Sequence, residues 1–67
     1  MLRYDYLLVK VQRERAGLTQ QAAADAAGMN IRQWQKYENN EAEPLITQYL
    51  KIIQALDIEP ADLLRDT

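Results

Sequence analysis

The feature that most constrains this chain is a three-residue link, Gly28-Met29-Asn30, between two segments that both read as helix. Before the link, Gln20 to Ala27 is dominated by alanine. Alanine is a strong helix former, and it keeps the helix surface thin enough for a neighbour to approach closely. After the link, Ile31 to about Glu38 places Trp34 and Tyr37 three apart, which puts both on one helical face and turns them inward. Gly28 stops the first segment because glycine tolerates a left-handed cap, and Asn30 is a favourable N-cap for the second. A glycine-led connection this short forces the two helices to meet at a steep angle. Arg32, Gln33, Gln35 and Lys36 are left to face outward or sideways.

The rest of the chain reads as helix too. A first helix is expected from about Arg3 to Ala16, stopped by Gly17. Its inner face would carry Tyr6, Val9, Arg13 and Ala16. Tyr4, Leu8 and Val11 would form a second apolar stripe, of the kind that suggests a partner surface. Thr19 is a good N-cap for the helix over Gln20 to Ala27. The segment Asn39 to Pro44 is a polar loop in which Asn39 or Asn40 can supply a positive-φ cap. A fourth helix from about Leu45 to Leu56 would bury Tyr49, Ile52, Ile53 and Leu56. A short last helix would start at Glu59, with Pro60 in the favoured first position, and include Leu63 and Leu64. Val, Ile and Thr never cluster in an alternating run, so no strand is expected. The expectation is an all-α, compact five-helix chain forming one domain over residues 1–67.

Composition narrows the chemistry. The sequence has no cysteine and no histidine, which excludes disulfides, thiolate metal sites and the commonest general base. No nucleophile, metal site or paired-carboxylate constellation stands out, so no catalytic residue, metal or cofactor is expected. The apolar run Tyr6-Leu7-Leu8-Val9 is far too short to span a bilayer. Lys10, Arg13, Glu14 and Arg15 arrive too early for a signal peptide. A cytoplasmic protein without a membrane partner is the expectation.

The 67 residues carry a formal net charge of −2, but the charge is unevenly spread. Residues 1–36 hold six basic side chains against three acids, a balance of +3. Residues 37–67 hold two against seven, a balance of −5. One end can meet phosphate while the other is repelled by it.

Several residues together make the pattern recognisable. Thr19-Gln20, Ala24, Gly28, Trp34, Tyr37-Glu38 and Pro44 stand at a spacing that resembles the lambda-repressor-like helix-turn-helix family, the Cro and phage-repressor group. Leu56-Asp57-Ile58 followed by Leu63-Leu64 resembles that family's closing helix, with Asp57 where glycine is usual. The resemblance runs from about Val9 to Leu64. It implies a helix-turn-helix formed by the second and third helices, with the third lying in the major groove of double-stranded DNA while the second crosses the backbone.

By that resemblance the DNA-contacting residues are Gln20, Asn30, Ile31, Arg32, Gln35, Lys36 and Asn39. Arg32 and Lys36 would donate to guanine O6 and N7. Gln35 would bond a base or phosphate, Ile31 would touch a thymine methyl, and Gln20 and Asn39 would contact the backbone. Arg13 and Glu38 match a pair that forms an internal salt bridge in many relatives. The chain departs from the family at Ala23 and Ala27, where leucine is usual, and at Trp34, where a smaller aliphatic residue is usual. The large indole would then fill the volume the alanines leave. Glu41 and Glu43 stand in a loop where many relatives are basic. The resemblance implies a transcriptional regulator, a repressor acting as a homodimer. The alternative is an antitoxin or adaptor that uses the same fold to bind a protein partner.

Overall fold

The structure is a computed structural model that describes residues 2–66; Met1 and Thr67 of the expected 1–67 domain lie outside the described residues. The chain runs through strand β1 (Leu2–Tyr4), helices α1 (Tyr6–Arg15), α2 (Gln20–Ala27), α3 (Ile31–Glu38) and α4 (Ile46–Leu56), a 3-10 turn (Pro60–Leu63) and strand β2 (Leu64–Asp66). Four α-helices and one 3-10 turn replace the five helices expected. The last segment winds as 3-10 because Pro60 opens it and only three residues follow before the backbone extends again.

The strands are a second correction. β1 and β2 pair antiparallel, Leu2 opposite Asp66, Arg3 opposite Arg65 and Tyr4 opposite Leu64. The first helix therefore begins at Tyr6, not at Arg3, and Asp5 is its N-cap, its side chain accepting from the Leu8 amide at 3.3 Å. Tyr4 thus lies on β1 and not on the helix. Val9 is fully buried, as expected, but Tyr4 and Leu8 pack against the core, whereas Ala16 is exposed. The outward apolar residues of α1 are Leu7 and Val11, four apart on one face.

The central helices form where their local chemistry directs. Thr19 caps α2 by accepting from the Ala22 amide at 3.1 Å, and Asn30 caps α3 by accepting from the Gln33 amide at 2.8 Å. Between them Gly28 takes φ 69°. A Cβ there would meet nothing within 4 Å, so the requirement is conformational, not steric crowding. The Met29 amide then reaches back to the Ala24 carbonyl at 2.9 Å, and its side chain is buried, closing the helix end with an apolar contact. Asn40 takes the positive φ after α3, and Asp57 takes it after α4.

One core unites the elements. Trp34, Ile52, Leu63 and Val9 are its largest fully buried side chains. Tyr49, Ile53 and Leu56 of α4 join them, together with Ala23, Ala24 and Ala27 of α2. The indole of Trp34, 0% exposed, thus shares its core with three small side chains from the helix opposite. The 3-10 turn is tied down twice: the Asp5 amide donates to the Leu63 carbonyl at 2.8 Å, and the Tyr49 hydroxyl donates to the Pro60 carbonyl.

Candidate nucleic-acid interface

Helix α3 divides its residues sharply between two surfaces. Trp34, Tyr37 and Glu38 are buried, while Arg32 and Lys36 are exposed. Ile31 and Gln35 are half-buried at the edge between the two. Residues three and four apart are neighbours on a helix, so Arg32, Gln35 and Lys36 form one outward ridge. Asn30 and Asn39 are exposed at the two ends of α3, although the Asn30 side-chain oxygen is engaged in capping. Gln20 lies half-buried at the first turn of α2, where the helix dipole is positive. Glu41 and Glu43 are exposed just beyond α3.

What holds the ridge is a buried carboxylate. Glu38 is 4% exposed. Arg13 reaches it from α1, donating from Nη2 to Oε1 at 2.9 Å and from Nε to Oε2 at 3.0 Å. The same guanidinium donates from Nη1 to the Leu18 carbonyl at 2.8 Å. Trp34 Nε1 donates to Oε2 at 2.6 Å, and Gln20 Nε2 stands 3.4 Å from Oε1. Burial by itself would push the Glu38 carboxyl up. The hydrogen bonds from Arg13 and Trp34, the Arg13 charge and the Gln20 bond outweigh it and hold the carboxyl below its ordinary range. Arg13 is shifted further upward, chiefly through its hydrogen bond to Glu38. The ion pair and its bonds fasten α1, α2 and α3 at one point.

Two contacts were not legible in the sequence. Gln35 Nε2 donates to Gln20 Oε1 at 3.1 Å, joining the outward ridge to α2. Gln33, expected to face outward or sideways, donates to the Tyr37 hydroxyl at 3.2 Å. Gln20 and Gln35 are fifteen residues apart, and no periodicity within one helix could bring them together. Only the turn at Gly28, which brings α2 against α3, does so.

Among the described residues, no group of three or more His, Cys, Asp or Glu is placed to hold a metal ion, and no helix is long and apolar enough to cross a membrane. The family model that matches this chain is the helix-turn-helix, over residues 9–63. The chain belongs to the helix-turn-helix family, of the Cro/C1 type. No curated protein matches the sequence. Among solved structures, this helix-turn-helix protein is similar to the P22 c2 repressor in complex with a synthetic operator, at 22% identity and a TM-score of 0.85, covering 94% of this chain and 96% of that one. The solution structure of the DNA-binding domain of the P22 c2 repressor matches at 21% identity and a TM-score of 0.83, covering 91% and 80%. The restriction-modification controller protein C.AhdI from Aeromonas hydrophila matches at 28% identity and a TM-score of 0.81, covering 87% and 88%. The fold is lambda-repressor-like, and the family is one of DNA-binding regulators.

Proposed function

We propose that this helix-turn-helix protein is a sequence-specific transcriptional regulator, a repressor, that reads the major groove with α3. The observation that carries this reading is the division of α3: Arg32 and Lys36 project freely while Trp34, Tyr37 and Glu38 anchor the helix from behind. Arg32 and Lys36 donate to base-edge acceptors, Ile31 supplies an apolar contact, and Gln35 bonds a base. Gln20, Asn30 and Asn39 sit at helix ends that border the backbone. A solved relative in fold, the P22 c2 repressor, is described in complex with an operator, and another is a controller protein; both fit this reading.

The protein acts in the cytoplasm as a homodimer on two half-sites about 34–36 Å apart. Exposed apolar side chains at Leu7 and Val11 of α1 supply surface for the second copy. The test is binding to a random duplex pool over a range of salt. A regulator making several phosphate contacts selects a defined sequence and loses affinity steeply as salt rises. Arg32→Ala relaxes the preference at one base position by about 1–3 kcal/mol.

A second reading, a protein-interaction module such as an antitoxin or adaptor, rests on a different surface. Leu45 is 74% exposed, Ile46 69% and Leu50 45%, an apolar run at the start of α4 within the acidic half of the chain. Sequence-independent failure to bind any duplex, with tight binding of a protein partner through α4, would favour it.

A further inference from the structure

The hydrogen bonds running inward from the ridge have a direction, and that direction is set from the core. We propose that Glu38, acting through Gln20, fixes which edge of the Gln35 amide faces outward and so makes Gln35 a reader of adenine. This rests on the DNA-reading assignment above and adds the base that one position selects.

An ionised carboxylate only accepts hydrogen bonds, and Glu38 is held in that form by Arg13 and Trp34. Gln20 lies between Glu38 and Gln35, its Nε2 3.4 Å from Glu38 Oε1. Turning the Gln20 amide over would set two oxygens against each other. Its nitrogen therefore faces inward and its oxygen outward.

Gln35 is oriented in the same way. The outward oxygen of Gln20 meets Gln35 Nε2 at 3.1 Å, and turning Gln35 over would again oppose two oxygens. Gln35 is left with its own oxygen directed away from Gln20 and with one amide hydrogen uncommitted. The edge it offers is an acceptor beside a donor.

In the major groove adenine presents the complement, the N6 donor beside the N7 acceptor. Guanine presents two acceptors, O6 and N7. A freely turning glutamine can offer both its hydrogens to guanine; Gln35 cannot while Gln20 holds one of them, and its oxygen would face O6. Gln20 is thus a positioning residue, which acts through Gln35. A Gln20 that did no more than contact the backbone would behave differently: its loss would weaken all sequences alike.

Selection from a random duplex pool, run with the native chain, Gln20→Ala, Gln35→Ala and the double variant, separates these cases. The native chain is expected to favour adenine at one position by roughly five- to a hundredfold over guanine. Gln35→Ala removes that preference, Gln20→Ala admits guanine at the same position while other positions keep theirs, and the double variant changes nothing beyond Gln35→Ala. Should Gln20→Ala lower the melting temperature, Gln20→Met, which keeps the length of the side chain without its amide, takes its place. A uniform loss of affinity in the Gln20 variants with base preferences intact would overturn the proposal, as would a Gln35-dependent position that is not adenine or a Gln35→Ala variant with an unchanged profile. A native chain that selects no sequence would instead remove the DNA-reading assignment, and this proposal with it.

Discussion

Trp34 Nε1 donates to Glu38 Oε2 at 2.6 Å, one turn along the same helix, so the largest side chain in the core also satisfies the buried carboxylate. The bond explains why an indole is useful here beyond its volume. A buried charge is tolerated only when its lone pairs are matched, and Arg13 alone does not reach every one of them. Trp34→Phe keeps a large ring but strips the donor, and should cost about 1.5–3 kcal/mol, the range for a hydrogen bond to a charged group. Trp34→Ile also opens a void among three alanines and should cost more, approaching the roughly 3–5 kcal/mol of tryptophan-to-alanine changes. Urea unfolding of the two variants checks both the sizes and the order; an unchanged midpoint in Trp34→Ile would show that the alanines do not need the indole.

The Arg13–Glu38 pair leads to a second expectation. Removing either partner strands a charge and should cost about 3–5 kcal/mol, a large share of the roughly 5–15 kcal/mol that holds a typical domain together. Arg13→Lys keeps the charge but loses the fork that bonds both carboxylate oxygens and the Leu18 carbonyl together. Its loss should be smaller than that of Glu38→Gln. Thermal unfolding of both, side by side, gives the comparison.

Acid should weaken the fold through Glu38. Its carboxyl is held below the ordinary value of 4.5 in the native state, so the unfolded chain takes up the proton more readily. The stabilisation is complete above the ordinary carboxylate range and is lost as pH falls through it towards the lower native value. Unfolding midpoints measured from pH 6 to pH 3 should decline, and the decline should be shallower in Arg13→Lys.

At the alkaline end Tyr4 works in the opposite sense. Burial, followed by the negative charge of Glu38, raises its phenol well above 10.0, and its hydroxyl finds no hydrogen-bond partner among the described residues. A raised value favours the neutral form in the folded state. Stability is therefore intact below pH 10 and lost as pH climbs beyond it. Tyr4→Phe removes a buried hydroxyl without a partner and should raise stability by about 1 kcal/mol. It should also reduce the alkaline loss, leaving the part due to Tyr49, whose phenol burial likewise raises. Guanidinium titrations at pH 7 and pH 10.5 test the two halves of this expectation.

Asp57 ends α4 at φ 53°, a left-handed conformation that costs an ordinary L-residue roughly 1–2 kcal/mol. Aspartate visits it more readily than alanine, and glycine does so freely. Asp57→Ala should lose about 1 kcal/mol, whereas Asp57→Gly should lose nothing. Melting temperatures of the two variants would show the order directly.

The parts of the fold legible in the sequence were those with local causes. Thr19, Gly28 and Asn30 marked the ends of α2 and α3 because capping and positive φ depend on single residues. The spacing of Tyr49, Ile52, Ile53 and Leu56 marked the buried face of α4. The strand pair was not legible, since Leu2-Arg3-Tyr4 is too short to show alternation and its partner lies some sixty residues away. Asp5 carries a usable signal, an N-cap residue three positions before Leu8, but it falls inside the longer helix that apolar spacing alone predicts. For the candidate site, the outward placement of Arg32 and Lys36 followed from periodicity. The bond between Gln20 and Gln35 did not, because it depends on the angle at which two helices cross.

The β1–β2 ladder also bears on the order in which the molecule assembles. Closing a loop of about sixty residues costs more chain entropy than closing the short turn at Gly28, and the return is three paired residues on each side. The α2–α3 corner can form early from neighbouring residues, and the ladder closes late. In hydrogen exchange its amides should be the first to open, well before those of α3 behind the Glu38 carboxylate.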